Sequence, residues 1–184
     1  MPASEHVAEP GFTVWLTGLS GAGKSTLGEL VGKELERRGR VVERLDGDVV
    51  REWLSKGLGF SKEDRDTNVA RIGWVASRLT RAGAVVVVSA ISPYTAMRAR
   101  VRALVEEHGS FVEVLVAASV DECARRDPKG LYEKAYRGEI ADFTGVSAPY
   151  EAPEDPEVRV DTEVQEPAES AAFIVGRLEQ LGLL

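Results

Sequence analysis

The stretch "FTVWLTGLSGAGKSTLGELVGKELERRG", Phe12 to Gly39, constrains this chain more than any other. An apolar run leads straight into Gly18–Thr26, which fits G-x-x-x-x-G-K-[ST]. Leu27, Leu30, Val31 and Leu35 then follow at helical spacing, and Gly39 ends the pattern. Strand, glycine loop and helix in that order form a cradle whose backbone N–H groups wrap nucleotide phosphates. The plainer reading is a chance match in a helix-capping turn, but the flanking strand and helix favour the phosphate cradle and point to an α/β fold.

The remaining elements read in alternation. "RVVERLDGD" is a second strand ending in two acids. "SKEDRDTNVARIGWVASRLTRAG" is a long amphipathic helix with Ser61 as N-cap and Gly83 as its stop. The β-branched run "AVVVVSA" suits a strand covered on both faces. "TAMRARVRALVEEHG" returns to helix, "FVEVLVA" to strand and "SVDECARR" to a short helix. Asp127 to Pro156, rich in Gly, Pro and Lys, is too long for an ordinary loop and is expected to be a mobile lid. "EVRVDT" gives a last short strand and "PAESAAFIVGRLEQLG" a closing helix. The expectation is a mostly parallel five-stranded sheet with helices on both faces. It occupies one domain over residues 11–184, behind a flexible tail at 1–10 that contains His6.

Composition narrows the partners. Thirty acidic against 23 basic residues give a net charge of −7, which disfavours a polynucleotide gripped by its phosphates. The longest apolar run, Ala82 to Ala90, is too short to span a bilayer, and no secretory signal is visible at the N-terminus. A single cysteine, Cys123, fits a reducing compartment, so the expected location is the cytoplasm.

Ligands of a parallel α/β sheet sit beyond the carboxyl ends of its strands, which directs attention to the residues just after each one. In the glycine loop, Gly18, Gly21 and Gly23 let the backbone approach the phosphates. Lys24 reaches the β- and γ-phosphates, and the Ser25 hydroxyl ligates Mg²⁺. The strand "VVVVSAIS" ends in serine rather than the metal-holding acid of a motor ATPase. The nearest acids are Asp46 and Asp48, as a small-molecule kinase requires. Asp48 suits the carboxylate that positions an acceptor hydroxyl, with helix capping as its plainer role. Arg65 and Asn68, three residues apart, share a helical face suited to a joint ligand contact.

"GLSGAGKST", "LDGDVVR", "LGFSKEDRDTNVARI", "AISPY", "RDPKGLYEKAYRGEIADFTGV" and "PYEAPEDPEVRVDT" occur in this order from about Phe12 to Leu181. Together they resemble adenylylsulfate kinase. The glycine loop alone is generic; the later combination is specific. The resemblance implies a P-loop NTPase fold. It also implies transfer of the γ-phosphoryl of ATP, with Mg²⁺, to the 3′-hydroxyl of adenosine 5′-phosphosulfate. Carried over by position, Gly18, Leu19, Ser20, Gly21, Ala22, Gly23, Lys24, Ser25 and Thr26, with Arg126, form the ATP site. Asp46, Gly47, Asp48 and Arg51 belong to the acceptor site, with Asp46 also serving the metal through water. Phe60 stacks on the acceptor's adenine and Phe143 of the lid covers its other face. Arg65 and Asn68 hold the 5′-phosphosulfate end, Ile91 and Ser92 line the same pocket, and Lys129 at the lid hinge reaches the nucleotides. The implied partners are the two small-molecule substrates, a second copy of the chain and a sulfate adenylyltransferase.

Ser92 is also the position at which family descriptions place a phosphoserine intermediate. The residues around it favour a pocket-lining serine before a turn-forming proline, because in-line transfer needs no covalent relay. The chain departs from the family pattern at Val49, where Asn is usual, and at Thr95 and Met97, where an arginine and an acid often stand. Val49 and Thr95 are the only support for a kinase with a shifted acceptor. A regulatory module without catalysis would be expected to lack Lys24, Asp48 or Arg65, and all three are present.

Overall fold

The computed structural model describes residues 10–184; the expected N-terminal tail, His6 included, lies outside the described residues except for Pro10. Five strands, β1 (Phe12–Thr17), β2 (Val42–Asp46), β3 (Val85–Ser89), β4 (Ser110–Ala117) and β5 (Val158–Asp161), form one sheet in the order β2-β3-β1-β4-β5. Every pairing is parallel, with Phe12 opposite both Val85 and Ser110. The helices are α1 (Lys24–Arg37), α2 (Gly47–Trp53), α3 (Lys62–Arg81), α4 (Thr95–Glu106), α5 (Val120–Arg126), α6 (Leu131–Tyr136) and α7 (Pro167–Gln180).

Alternation along the strands makes two cores. Val14, Leu16, Val85, Val87, Val114 and Val116 face Leu27, Val31 and Leu35 of α1 and Ile174 and Leu178 of α7. Trp15, Val86, Val88 and Phe111 face Ile72 and Ala76 of α3 and Val101 and Val105 of α4. A strand buried on both faces must be apolar throughout, which is why β3 reads as an unbroken valine run. Because α1 leaves β1 on one face and α4 leaves β3 on the other, a crevice opens at the carboxyl ends of these neighbouring strands. This is the P-loop NTPase fold. Among the described residues, no helix is long and apolar enough to cross a membrane.

Two helical starts differ from the sequence expectation. Helix α2 begins at Gly47, capped by Asp46, whose side chain accepts the Asp48 amide at 2.9 Å. Asp46 therefore takes the capping role weighed for Asp48 and leaves the Asp48 carboxylate exposed. The segment 127–156 contains α6. The Asp127 carboxylate accepts the amides of Leu131, Tyr132 and Glu133 at 2.8–3.1 Å, which seeds a helix that the surrounding Gly and Pro conceal.

Candidate active site

A cavity of about 840 Å³ opens at the carboxyl ends of β1, β2 and β3 and under the segment 127–156. One end is the glycine loop, four of whose successive carbonyls are each bonded by a side chain. Lys24 Nζ donates to Leu19 O at 2.7 Å, and the Tyr132 hydroxyl to Ser20 O at 2.9 Å. Arg126 Nη1 donates to Gly21 O at 3.4 Å, and Thr162 Oγ1 to Ala22 O at 2.9 Å. Arg126 is held in turn by the Thr162 carbonyl at 2.6 Å. Helix α1 starts directly after the loop with no side-chain cap and no acid in its first turn. Its first amides and its dipole are thus left for an anion.

Gly18 is required for a reason other than phosphate approach: a Cβ there would lie 2.5 Å from the Val116 carbonyl of β4. Gly23, at φ 100°, supplies the left-handed turn into α1. Leu19 and Ala22 bury their side chains in the core and, with Gly18, do not line the cavity, so they can meet a ligand only through the backbone. Ser20, Gly21, Gly23, Lys24, Ser25 and Thr26 do line it. Lys24 is buried, and this loss of hydration pushes its pKa down to about 8.

The acids lie beside this loop. Asp46 accepts the Ser25 hydroxyl at 2.6 Å through one oxygen and the Asp48 amide through the other. Asp48 forms an ion pair with Lys129 across the mouth of the cavity. A hydroxyl and a carboxylate in contact are hard oxygen donors suited to Mg²⁺, which characteristically borrows its other ligands from phosphate and water. Among the described residues, no group of three or more His, Cys, Asp and Glu could hold a metal ion.

The far end of the cavity collects the other expected residues. Arg65 and Asn68, buried on one face of α3, converge with Arg51, Phe60, Ile91, Ser92 and Phe143. The Arg51 guanidinium stacks 4.5 Å from the Phe60 ring centroid, leaving that ring half exposed. Phe143 is buried edge-on against Tyr132, with centroids 4.9 Å apart. Arg65 donates to Thr144 Oγ1 at 2.6 Å and to the Asp142 carbonyl, so the segment 127–156 currently occupies it. The Asn68 amide oxygen is buried with no partner among the described residues. Burial, with the charge of Arg65 second, makes Arg51 easier to deprotonate, which marks two cations facing one space.

Ser92 is buried, and its hydroxyl accepts the Trp15 indole N–H at 3.0 Å. The cavity also takes in residues the sequence reading passed over: Thr144, and Thr162 to Pro167 at the glycine-loop end. The rule that ligands sit after strands would have found the latter had it been applied to β5. Val49, Thr95 and Met97 do not line the cavity.

Comparison with known proteins agrees with this geometry. The family model for adenylylsulphate kinase matches residues 10–161. The adenylyl-sulfate kinase of Rippkaea orientalis is 53% identical over 96% of this chain and 96% of its own length. The probable bifunctional SAT/APS kinase 2 of Sorangium cellulosum is 56% identical over 94% of this chain, which spans only 29% of that protein. A solved structure of the Mycobacterium tuberculosis APS kinase in complex with AMPPNP and APS superposes with a TM-score of 0.89 at 42% identity, covering 92% of this chain and 98% of that one. A family match over the whole glycine loop, acid pair and arginine face leads to one conclusion: the chain belongs to the adenylylsulphate kinase family.

Proposed function

We propose that this chain transfers the γ-phosphoryl group of ATP to the 3′-hydroxyl of adenosine 5′-phosphosulfate, giving ADP and 3′-phosphoadenosine 5′-phosphosulfate. The observation that carries the reading is the two-ended cavity. An uncapped helix start with Lys24 lies at one end, two arginines and two aromatics lie at the other, and Asp48 stands between.

The glycine loop and Lys24 bind the triphosphate, and Arg126 holds the loop in shape. Lys24 leaves the Leu19 carbonyl for the phosphates, where its charge stabilises the transferring group. Ser25 and, through water, Asp46 would hold Mg²⁺, which would supply positive charge against the phosphates. Arg51, Arg65 and Asn68 take the phosphosulfate end of the acceptor, and Phe60 and Phe143 enclose its adenine. Asp48, released from Lys129, orients the acceptor hydroxyl and accepts its proton as the phosphorus–oxygen bond forms. Lys129 is then free for the nucleotides. Ser92, packed under the pocket by Trp15, shapes the acceptor wall and carries no phosphate.

The segment 127–156 supplies Lys129, Phe143 and Thr144 to the cavity and acts as a lid on a single domain. The fused architecture of the Sorangium relative supports association with a sulfate adenylyltransferase. A homodimer and a cytoplasmic location complete the reading, the latter supported by a single cysteine, which can form no internal disulfide.

A coupled ADP-release assay tests it: adenosine 5′-phosphosulfate is expected to support turnover at least a hundredfold better than AMP. Equal rates with the two acceptors would overturn the assignment.

A further inference from the structure

Helix α4 buries Arg98, Val101 and Val105 on one face. An arginine thus occupies a position where the helical period calls for an apolar side chain, and almost none of it reaches solvent. Its charge is met by Glu113 of β4, with Nε to Oε1 at 2.7 Å. Glu113 faces this side of the sheet because β4 alternates, and its other oxygen lies 3.7 Å from Arg102.

An ion pair alone would account for neither of the arginine's other ends. Nη1 donates to the Ser92 carbonyl at 2.8 Å, and Nη2 to the Glu151 carbonyl at 2.7 Å and Thr95 Oγ1 at 3.2 Å. Ser92 sits at φ 41°, a left-handed conformation that costs a residue with a side chain free energy and persists only when surroundings fix it. Glu151 lies where the segment 127–156 returns to the sheet. There its amide donates to the Pro93 carbonyl at 2.8 Å, and its carboxylate accepts the Thr95 amide at 2.7 Å. On the opposite side, Thr17 Oγ1 donates to the Ile91 carbonyl at 2.7 Å and meets the Tyr150 hydroxyl at 2.9 Å.

We propose that Arg98 is a positioning residue for the acceptor: its planar guanidinium clamps the strained Ile91–Ser92 turn to the root of the segment 127–156, and so sets the shape of the acceptor wall. It touches no substrate. The proposal rests on the reading above that the acceptor occupies this end of the cavity. Glu113, Ser92 and Glu151 each take a different nitrogen of one flat group; a lysine ammonium also has three donors, but they sit on one nitrogen and do not reach three acceptors spread around a guanidinium.

The test separates the clamp from the charge pair. Removing Arg98 alone leaves Glu113 buried with only the longer Arg102 contact, so Arg98→Met is expected to lose stability; Arg98→Met with Glu113→Met removes both charges and is expected to recover most of it. In the double variant the acceptor KM is expected to rise about tenfold or more, with the ATP KM within about twofold of wild type. Amide exchange in the substrate-free protein is expected to quicken about tenfold at Thr95 and Glu151, and to stay unchanged in α1. Arg98→Lys keeps the charge opposite Glu113 and is expected to show the same acceptor defect; it carries the test if the double variant does not fold. Wild-type acceptor kinetics and exchange in these variants would overturn the proposal, as would equal increases in both KM values. If the wild-type enzyme failed to phosphorylate adenosine 5′-phosphosulfate, the acceptor reading would fall, and exchange at Thr95 and Glu151 would decide the clamp by itself.

Discussion

Arg65→Ala is the substitution that best separates the two ends of the cavity. The guanidinium already donates to Thr144 Oγ1 and the Asp142 carbonyl, both on the segment 127–156. An incoming phosphosulfate must displace those bonds, so its gain is a difference between charge–charge and charge–neutral hydrogen bonds. A hydrogen bond to a charged group contributes about 1.5–3 kcal/mol, and the bonds surrendered bring the net loss on truncation to about 1.4–2 kcal/mol, or roughly ten- to thirty-fold in acceptor affinity. Arg65 is buried, so little solvent screening reduces this. Initial rates with each substrate varied in turn are expected to show that rise in the acceptor KM and an unchanged ATP KM. Adenosine analogues with and without the sulfate are expected to be discriminated less by the variant than by wild type. The same substitution frees Asp142 and Thr144, so amide exchange there is expected to quicken in the substrate-free protein. A raised ATP KM beside an untouched acceptor would refute the placement of the acceptor site.

Three further outcomes follow from the geometry. Asp48→Asn is expected to lower kcat by at least about a hundredfold with little change in either KM, because the amide keeps the size but accepts no proton; steady-state kinetics check it, and a KM-only effect would make Asp48 a binding residue. Lys24→Ala is expected to reduce turnover by at least about a hundredfold while the melting profile stays intact, since the buried amine is held by one carbonyl and is costly to bury charged. Glu157 gives an acid-stability test. Burial raises its pKa, but Arg102 at 2.8 Å and the Glu113 amide at 2.7 Å outweigh that and hold it below the usual carboxylate value. A lowered carboxylate pKa contributes stability above the unfolded value and loses it as pH falls through the folded one. Glu157→Gln is therefore expected to melt lower than wild type at pH 7, with the gap closing below about pH 4.

The strands and the long helices were legible because their signals are local. The β3 valine run, the period of α3 and Ser61 as its cap all stand where the sequence puts them, the Ser61 hydroxyl accepting the Asp64 amide at 3.1 Å. The arginine–asparagine face of α3 was equally readable, since three-residue spacing fixes a shared side. What escaped depended on contacts between distant residues. Helix α6 hangs on Asp127 accepting three amides, and Gly18 answers to the Val116 carbonyl almost a hundred residues away. Arg98 is one of several arginines in "MRARVR", and only the position of Glu113 on the neighbouring strand selects it to turn inward.

The four engaged carbonyls of the glycine loop have a kinetic consequence. A loop whose outward groups are pinned by Lys24, Tyr132, Arg126 and Thr162 has spent its conformational freedom before any nucleotide arrives. Of these four bonds only that of Lys24 need be exchanged on binding, so nucleotide association is expected to be a single-step encounter whose rate rises linearly with concentration. At the opposite end Arg65 and Asp48 must first part from Thr144, Asp142 and Lys129, and acceptor association carries an isomerisation that saturates. One cavity therefore holds a rigid socket and a gated one, and stopped-flow traces for the two ligands are expected to differ in order as well as in rate.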